Sequence, residues 1–158
     1  MNLRVVTLLC TVVVLSYAAV FAKGWGAPKG WIVNDKGEAQ QTDYLSLWAA
    51  GRLALEGKPA DAYDWGRHEQ AMGVALGKEP PDMLPYAYPP TFFPLIALFA
   101  KLPYLPSMLI WSILALIPFA AANARIIGRP EAALWMCATV PAFWNFAVGQ
   151  TGALLAAL

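Results

Sequence analysis

Apolar and polar positions along this chain fall into long blocks rather than strict alternation. Val5 to Ala22 is apolar apart from Thr7, Thr11, Ser16 and Tyr17, and Arg4 precedes it. A run of about 18 such residues is at the lower edge of a transmembrane helix. Val20-Phe21-Ala22 also offers the small residues of a signal-peptide cleavage site. The length of the run and the apolar segments that follow favour an uncleaved first helix over 5–22. Either reading sends the next segment across a membrane.

Lys23 to Tyr88 holds most of the charges and the only histidine, His68. Over 23–90 the pattern predicts a polar loop. "VNDKGE" (Val33 to Glu38) reads as a tight turn or small hairpin. "DYLSLWAAGRLALEGKP" then carries both ends of a helix over 44–56. Thr42 or Asp43 can cap its start, Gly57 suits the left-handed position after it, and Pro59 blocks continuation. Tyr44, Leu47, Trp48, Gly51 and Leu55 share one face, while Ser46, Arg52 and Glu56 make the opposite side only weakly polar. Such a helix is expected to lie along a membrane surface or against other spans. "KEPPDMLPYAYPP" has five prolines and is expected to be extended.

The remainder is apolar again. Helices are expected over 91–105, with Thr91 as cap and Pro94 in the first turn, over 107–124, and over 131–148 with Trp135 and Trp144 near its ends. The first of these is short of the ~30 Å hydrocarbon core. Residues 150–158 start a further apolar helix and stop inside it, so the chain is expected to be truncated. Arg4 suggests an amino terminus inside and the polar segment outside. Strict alternation of spans then puts Arg125 and Arg129 outside as well, against the positive-inside bias.

Composition sharpens this picture. Hydrophobic residues make up 59% and charged residues 13%, where soluble domains have roughly 45–50% and about 25%. That shift makes an all-α membrane protein the expected class. A net charge of +1 gives no reason to expect nucleic acid. Cys10 and Cys137 sit in apolar runs without ligand neighbours, so neither a disulfide nor zinc is expected. The scattered acidic residues show no metal spacing, and no nucleotide fingerprint or phosphate-cradling glycine loop occurs. No cofactor is implied.

Asp43-Tyr44 before the helix ending "LALEGKPADAYD", then "YPPTFFPLIALFAKLPYLP" with Trp111 beyond, then "NFAVGQTGALLAAL", come in this order. That order resembles the amino-terminal part of glycosyltransferase family 87, membrane enzymes similar to polyprenyl-phosphate-mannose-dependent mannosyltransferases. The family often has Asn after the Gly-Gln pair, where this chain has Thr151. The resemblance implies a GT-C-type transmembrane helix bundle in a bacterial-type inner membrane. Its extracytoplasmic loop would carry a membrane-parallel amphipathic helix and a catalytic acid at the position of Asp43. The implied reaction moves a hexose, mannose first, from a polyprenyl phosphate to a lipid or glycan acceptor with inversion.

The residues allow that chemistry without requiring it. Glycosyl transfer needs a base for the acceptor proton, and Asp43 stands where an interfacial base belongs; an Asp before a helix is also an ordinary N-cap. Tyr88, Pro89 and Pro90 form either the wall of a donor cavity or a plain loop-to-helix junction. The leaving phosphate needs positive charge. Arg52 is the first candidate, ahead of Arg67 and Lys58, though each also reads as a solvated charge. His68 reads as a loop histidine rather than a second base. Gln150 and Asn145 either bridge helices or reach a sugar. The rival readings are an inactive membrane fragment that serves as a scaffold and, more weakly, a transporter subunit.

Overall fold

A computed structural model of the chain describes residues 2–157, all helix and loop apart from two isolated β-bridges. Among the described residues two helices are long and apolar enough to cross a membrane: α1 (Leu3–Lys23) and α5 (Tyr104–Ile127). Asn2 caps α1 by accepting the Arg4 N–H, and Pro118 lies inside α5.

Between them the chain folds on α2 (Tyr44–Leu55), α3 (Trp65–Leu76) and α4 (Phe93–Phe99). The expected helix over 44–56 forms, and it packs against other helices. Nine of its residues, from Tyr44 to Gly51 and Leu53, are buried. α3, absent from the sequence expectation, covers the Ser46 part of its weakly polar side, while Arg52 and Glu56 stay partly exposed. Ser46 of α2 meets the buried His68 of α3, Oγ to Nε2 at 3.2 Å. On the other side α4 comes so close that a Cβ on Gly51 would lie 2.6 Å from the Ile96 carbonyl oxygen. The helix is therefore the core of the polar segment.

α4 spans only seven residues, roughly 10 Å. A 3-10 turn at Pro90–Phe92 leads into it, and it ends well before the expected 105. The chain turns at Pro103, and α5 begins one residue later, earlier than 107 and running past 124. The expected helix over 131–148 is two helices, α6 (Ala132–Cys137) and α7 (Val140–Val148). Pro141 has no N–H to give, and Thr139 restarts the helix by accepting from the Ala142 N–H at 3.4 Å. α8 (Gly152–Leu155) follows; Leu158, last residue of the expected 150–158 run, lies outside the described residues.

α6 and α7 run alongside α1. Trp135 donates to the Thr7 hydroxyl, Tyr17 donates to the Ala138 carbonyl and stacks on Phe143 at 4.4 Å, and Phe21 meets Phe146 at 5.1 Å. The pair is thus parallel, and α7 ends where α1 ends. α5 starts at the same end, with Ser107 sharing a 2.6 Å bond with Tyr44 and Met108 against Thr42. The polar segment and the α7–α8 turn consequently meet at one end of the bundle. The α5–α6 turn, with Arg125 and Arg129, belongs to the other end, where α1 starts with Arg4.

Candidate active site

Asp43 occupies the residue before α2, yet its side chain makes no capping bond. The Thr42 side chain does not replace it. Its hydroxyl bonds Tyr104 at 2.8 Å, and its N–H donates to the same Tyr104 oxygen at 3.2 Å. Pinned in this way, Thr42 fixes where Asp43 emerges from the core. The exposed carboxylate accepts through Oδ2 from the Gln150 side-chain amide, and Oδ1 has no hydrogen bond among the described residues.

Gln150 reaches Asp43 because Gly149 ends α7 in the left-handed conformation, φ 72°, with a Cβ-sized space already filled by the Tyr44 Cβ at 2.6 Å. Only glycine fits that approach. The next residue, Thr151, is buried and shares a 3.0 Å bond with the Tyr88 hydroxyl. Tyr88 in turn stacks on Phe92 at 5.1 Å, and its carbonyl accepts from Tyr63 at 2.7 Å. Asp43, Gln150, Thr151 and Tyr88 therefore form one continuous line across the end of the bundle. Thr151, where the family often has Asn, takes part through its hydroxyl.

Other expected site residues fall elsewhere. Pro89 and Pro90 are exposed beside Tyr88, and Pro90 lines an open apolar cleft with Tyr63, Phe93 and Pro94. Arg52 is not brought to Asp43. It lies nine residues on, roughly 14 Å of helix rise at about 1.5 Å per residue. There it sits 5.8 Å over the Trp48 ring and 3.9 Å from Glu56. Lys58 and Arg67 line the same cavity of about 300 Å³ as Arg52. Arg67 is already paired with Asp61 at 2.9 Å, which holds its guanidinium above the ordinary range. Asn145 has a structural role: its Oδ1 accepts the Ala153 N–H at 3.0 Å and so begins α8.

His68 is not a loop histidine but a fully buried member of α3. Burial pushes its pKa below the ordinary value, against a smaller opposing pull from the Leu84 backbone. It faces Ser46 and the Tyr86 ring rather than an open cavity. Burial also pushes the Tyr44 hydroxyl up, so it stays a neutral partner of Ser107.

Asp43 opens into a cavity of about 380 Å³ that no motif in the chain predicts. Gly30, Trp31, Gln40, Gln41, Thr42, Pro81, Asp82 and Leu84 complete its wall. No run of neighbouring residues announces it, because the hairpin and the proline-rich loop meet across 41 positions. Among the described residues no group of three or more His, Cys, Asp or Glu side chains could hold a metal ion.

Comparison with known proteins bears on the class of this site. Residues 86–158 match glycosyltransferase family 87. The match supports the membership that the sequence suggested, and it contains Tyr88, Gln150 and Thr151 but stops short of Asp43 and the cavity. No curated protein and no solved structure matches the chain. The match to family 87 suggests a glycosyltransferase, which would use a sugar donor and an acceptor, and the two apolar helices point with it to a membrane protein.

Proposed function

We propose that the chain is a GT-C-type membrane enzyme of the bacterial inner membrane that transfers a hexose, mannose first, from a polyprenyl phosphate to an acceptor hydroxyl. One observation carries the reading. The Asp43 carboxylate, although it precedes a helix, is withheld from capping and turned by Gln150 to the mouth of a cavity. An N-cap that caps nothing is available for chemistry.

In this reading Asp43 takes the proton of the acceptor hydroxyl as its oxygen attacks the anomeric carbon. The bond from that carbon to the phosphate oxygen breaks on the opposite face, so the sugar inverts and polyprenyl phosphate leaves with the electron pair. Tyr88, Pro89 and Pro90 wall the donor side. Arg52, with Lys58 and Arg67, supplies positive charge where lipid phosphates approach along the surface, outside the reaction centre.

The charged ends support an orientation. α4 is too short to cross a membrane, so only α1 and α5 cross before the α5–α6 turn. Arg4, Arg125 and Arg129 then share one side, which the positive-inside bias makes cytoplasmic. The reaction centre falls on the extracytoplasmic face.

The test is to place the chain in membranes with a polyprenyl-phosphate-mannose donor and an acceptor panel. Transfer that a sugar-nucleotide donor does not support is the expected result. Absence of transfer from a correctly inserted chain contradicts the reading.

A further inference from the structure

The walls of the cavity beside Asp43 carry information about what binds there. Two carboxylates line it, Asp43 and Asp82, and no cation does. An anionic phosphate would meet uncompensated negative charge in this space. The cavity therefore does not suit the phosphate end of a donor. It suits a neutral molecule that presents hydroxyl groups.

Hydrogen bonds hold the backbone around these exposed groups. The Gln41 side-chain amide donates to the Asp82 carbonyl at 2.8 Å and accepts from the Asp82 N–H at 3.2 Å. This reciprocal pair fixes the Asp82 backbone and leaves its carboxylate without a hydrogen bond among the described residues. Gln40 gives its amide N–H to the Glu38 carbonyl at 2.9 Å, which keeps its own side-chain oxygen as a spare acceptor. Trp31 supplies an apolar plate. Its indole lies where a Cβ on Gly24 would come within 2.9 Å, and its edge meets Phe21 at 6.0 Å. Gly24, with no Cβ, leaves room for this close approach of the ring.

An indole plate, two carboxylates with free oxygens and an amide oxygen around one small space are complementary to a sugar ring. The apolar C–H face of a pyranose packs on an aromatic ring, and its hydroxyls donate to carboxylate and amide oxygens. A volume of about 380 Å³ lies within the range of small-ligand pockets, about 300–1,000 Å³. We infer that Trp31, Gln40 and Asp82 form the acceptor subsite, and that the acceptor presents a neutral sugar residue there, not a bare lipid alcohol. The subsite rests on the proposed role of Asp43 only for its name as acceptor side. Sugar binding stands on the cavity itself.

The experiment measures binding and transfer separately on the full chain in nanodiscs. Binding of a panel of methyl hexosides and mannose disaccharides is followed by saturation-transfer NMR, with glycerol as the small polyol control. The expected result is saturable binding of at least one sugar. Trp31→Ala and Asp82→Asn should weaken it at least tenfold, while Glu131→Gln, exposed on the distant α5–α6 turn, leaves it within about twofold. Helicity and melting of each variant report on folding, and Trp31→Phe, which keeps an aromatic plate, should restore most of the binding. Failure of every sugar to bind, or binding indifferent to Trp31 and Asp82, overturns the inference.

The transfer arm separates the two readings. If binding follows Trp31 and Asp82 but Asp43→Asn still transfers, the subsite stands and the base assignment falls. If transfer needs Asp43 while Trp31→Ala and Asp82→Asn leave the acceptor KM unchanged, the subsite falls alone.

Discussion

The Gln150 side-chain amide donates to the carboxylate of Asp43, a residue 107 positions earlier in the chain. The bond joins the start of α2 to the α7–α8 turn, and Gly149 decides whether it can form. Gly149→Ala places a methyl group against Tyr44 in a left-handed backbone. Strain of this kind costs about 1–3 kcal/mol. The variant should melt at lower temperature in detergent and lose transfer activity by more than the stability loss explains, because Gln150 shifts away from Asp43. An unchanged melting curve would mean that the turn relaxes without strain.

His68 gives stability a pH dependence of predictable sign. Burial depresses its pKa in the folded state below the ordinary histidine value of about 6.5, so the unfolded chain binds the proton more readily. Stability is therefore full above about pH 6.5 and falls as pH drops from there towards the folded pKa. Denaturant titrations between pH 8 and pH 5 should show this loss, and His68→Gln should flatten it. Equal slopes in the two proteins would exclude His68 as the source.

The orientation makes its own prediction. In a background without Cys10 and Cys137, Lys58→Cys and Arg129→Cys should react with an impermeant maleimide from opposite sides of the membrane. Both positions lie on exposed turns. Labelling from the same side would mean that α4 crosses after all.

Much of the helical framework was legible in the sequence because long apolar runs and punctuating residues act locally. α1 is announced by its length, and Gly57 with Pro59 marks the end of α2. Other features depend on partners far away. α3 had both its signals, Asp64 accepting the Arg67 N–H and Gly77 in the left-handed region, but its polar face masked them. Thr139 and Pro141 divide an apolar run that hydropathy reads as one helix. Burial of α2 could not be seen, since an apolar helix looks alike whether it meets lipid or α3 and α4. Asp43 and Gln150 could each be singled out from the sequence, but their bond could not. The Trp31–Asp82 cavity was invisible because it is assembled from three separate segments.

Asp43→Asn tests the central claim most directly. The Asp43 side chain makes no cap bond, and Asn keeps an oxygen to accept from Gln150, so folding and insertion should match the parent. Transfer from polyprenyl-phosphate-mannose should fall by about 10²–10⁴-fold with the loss of the base. Transfer at the parent rate in a correctly folded Asp43→Asn protein would contradict the account.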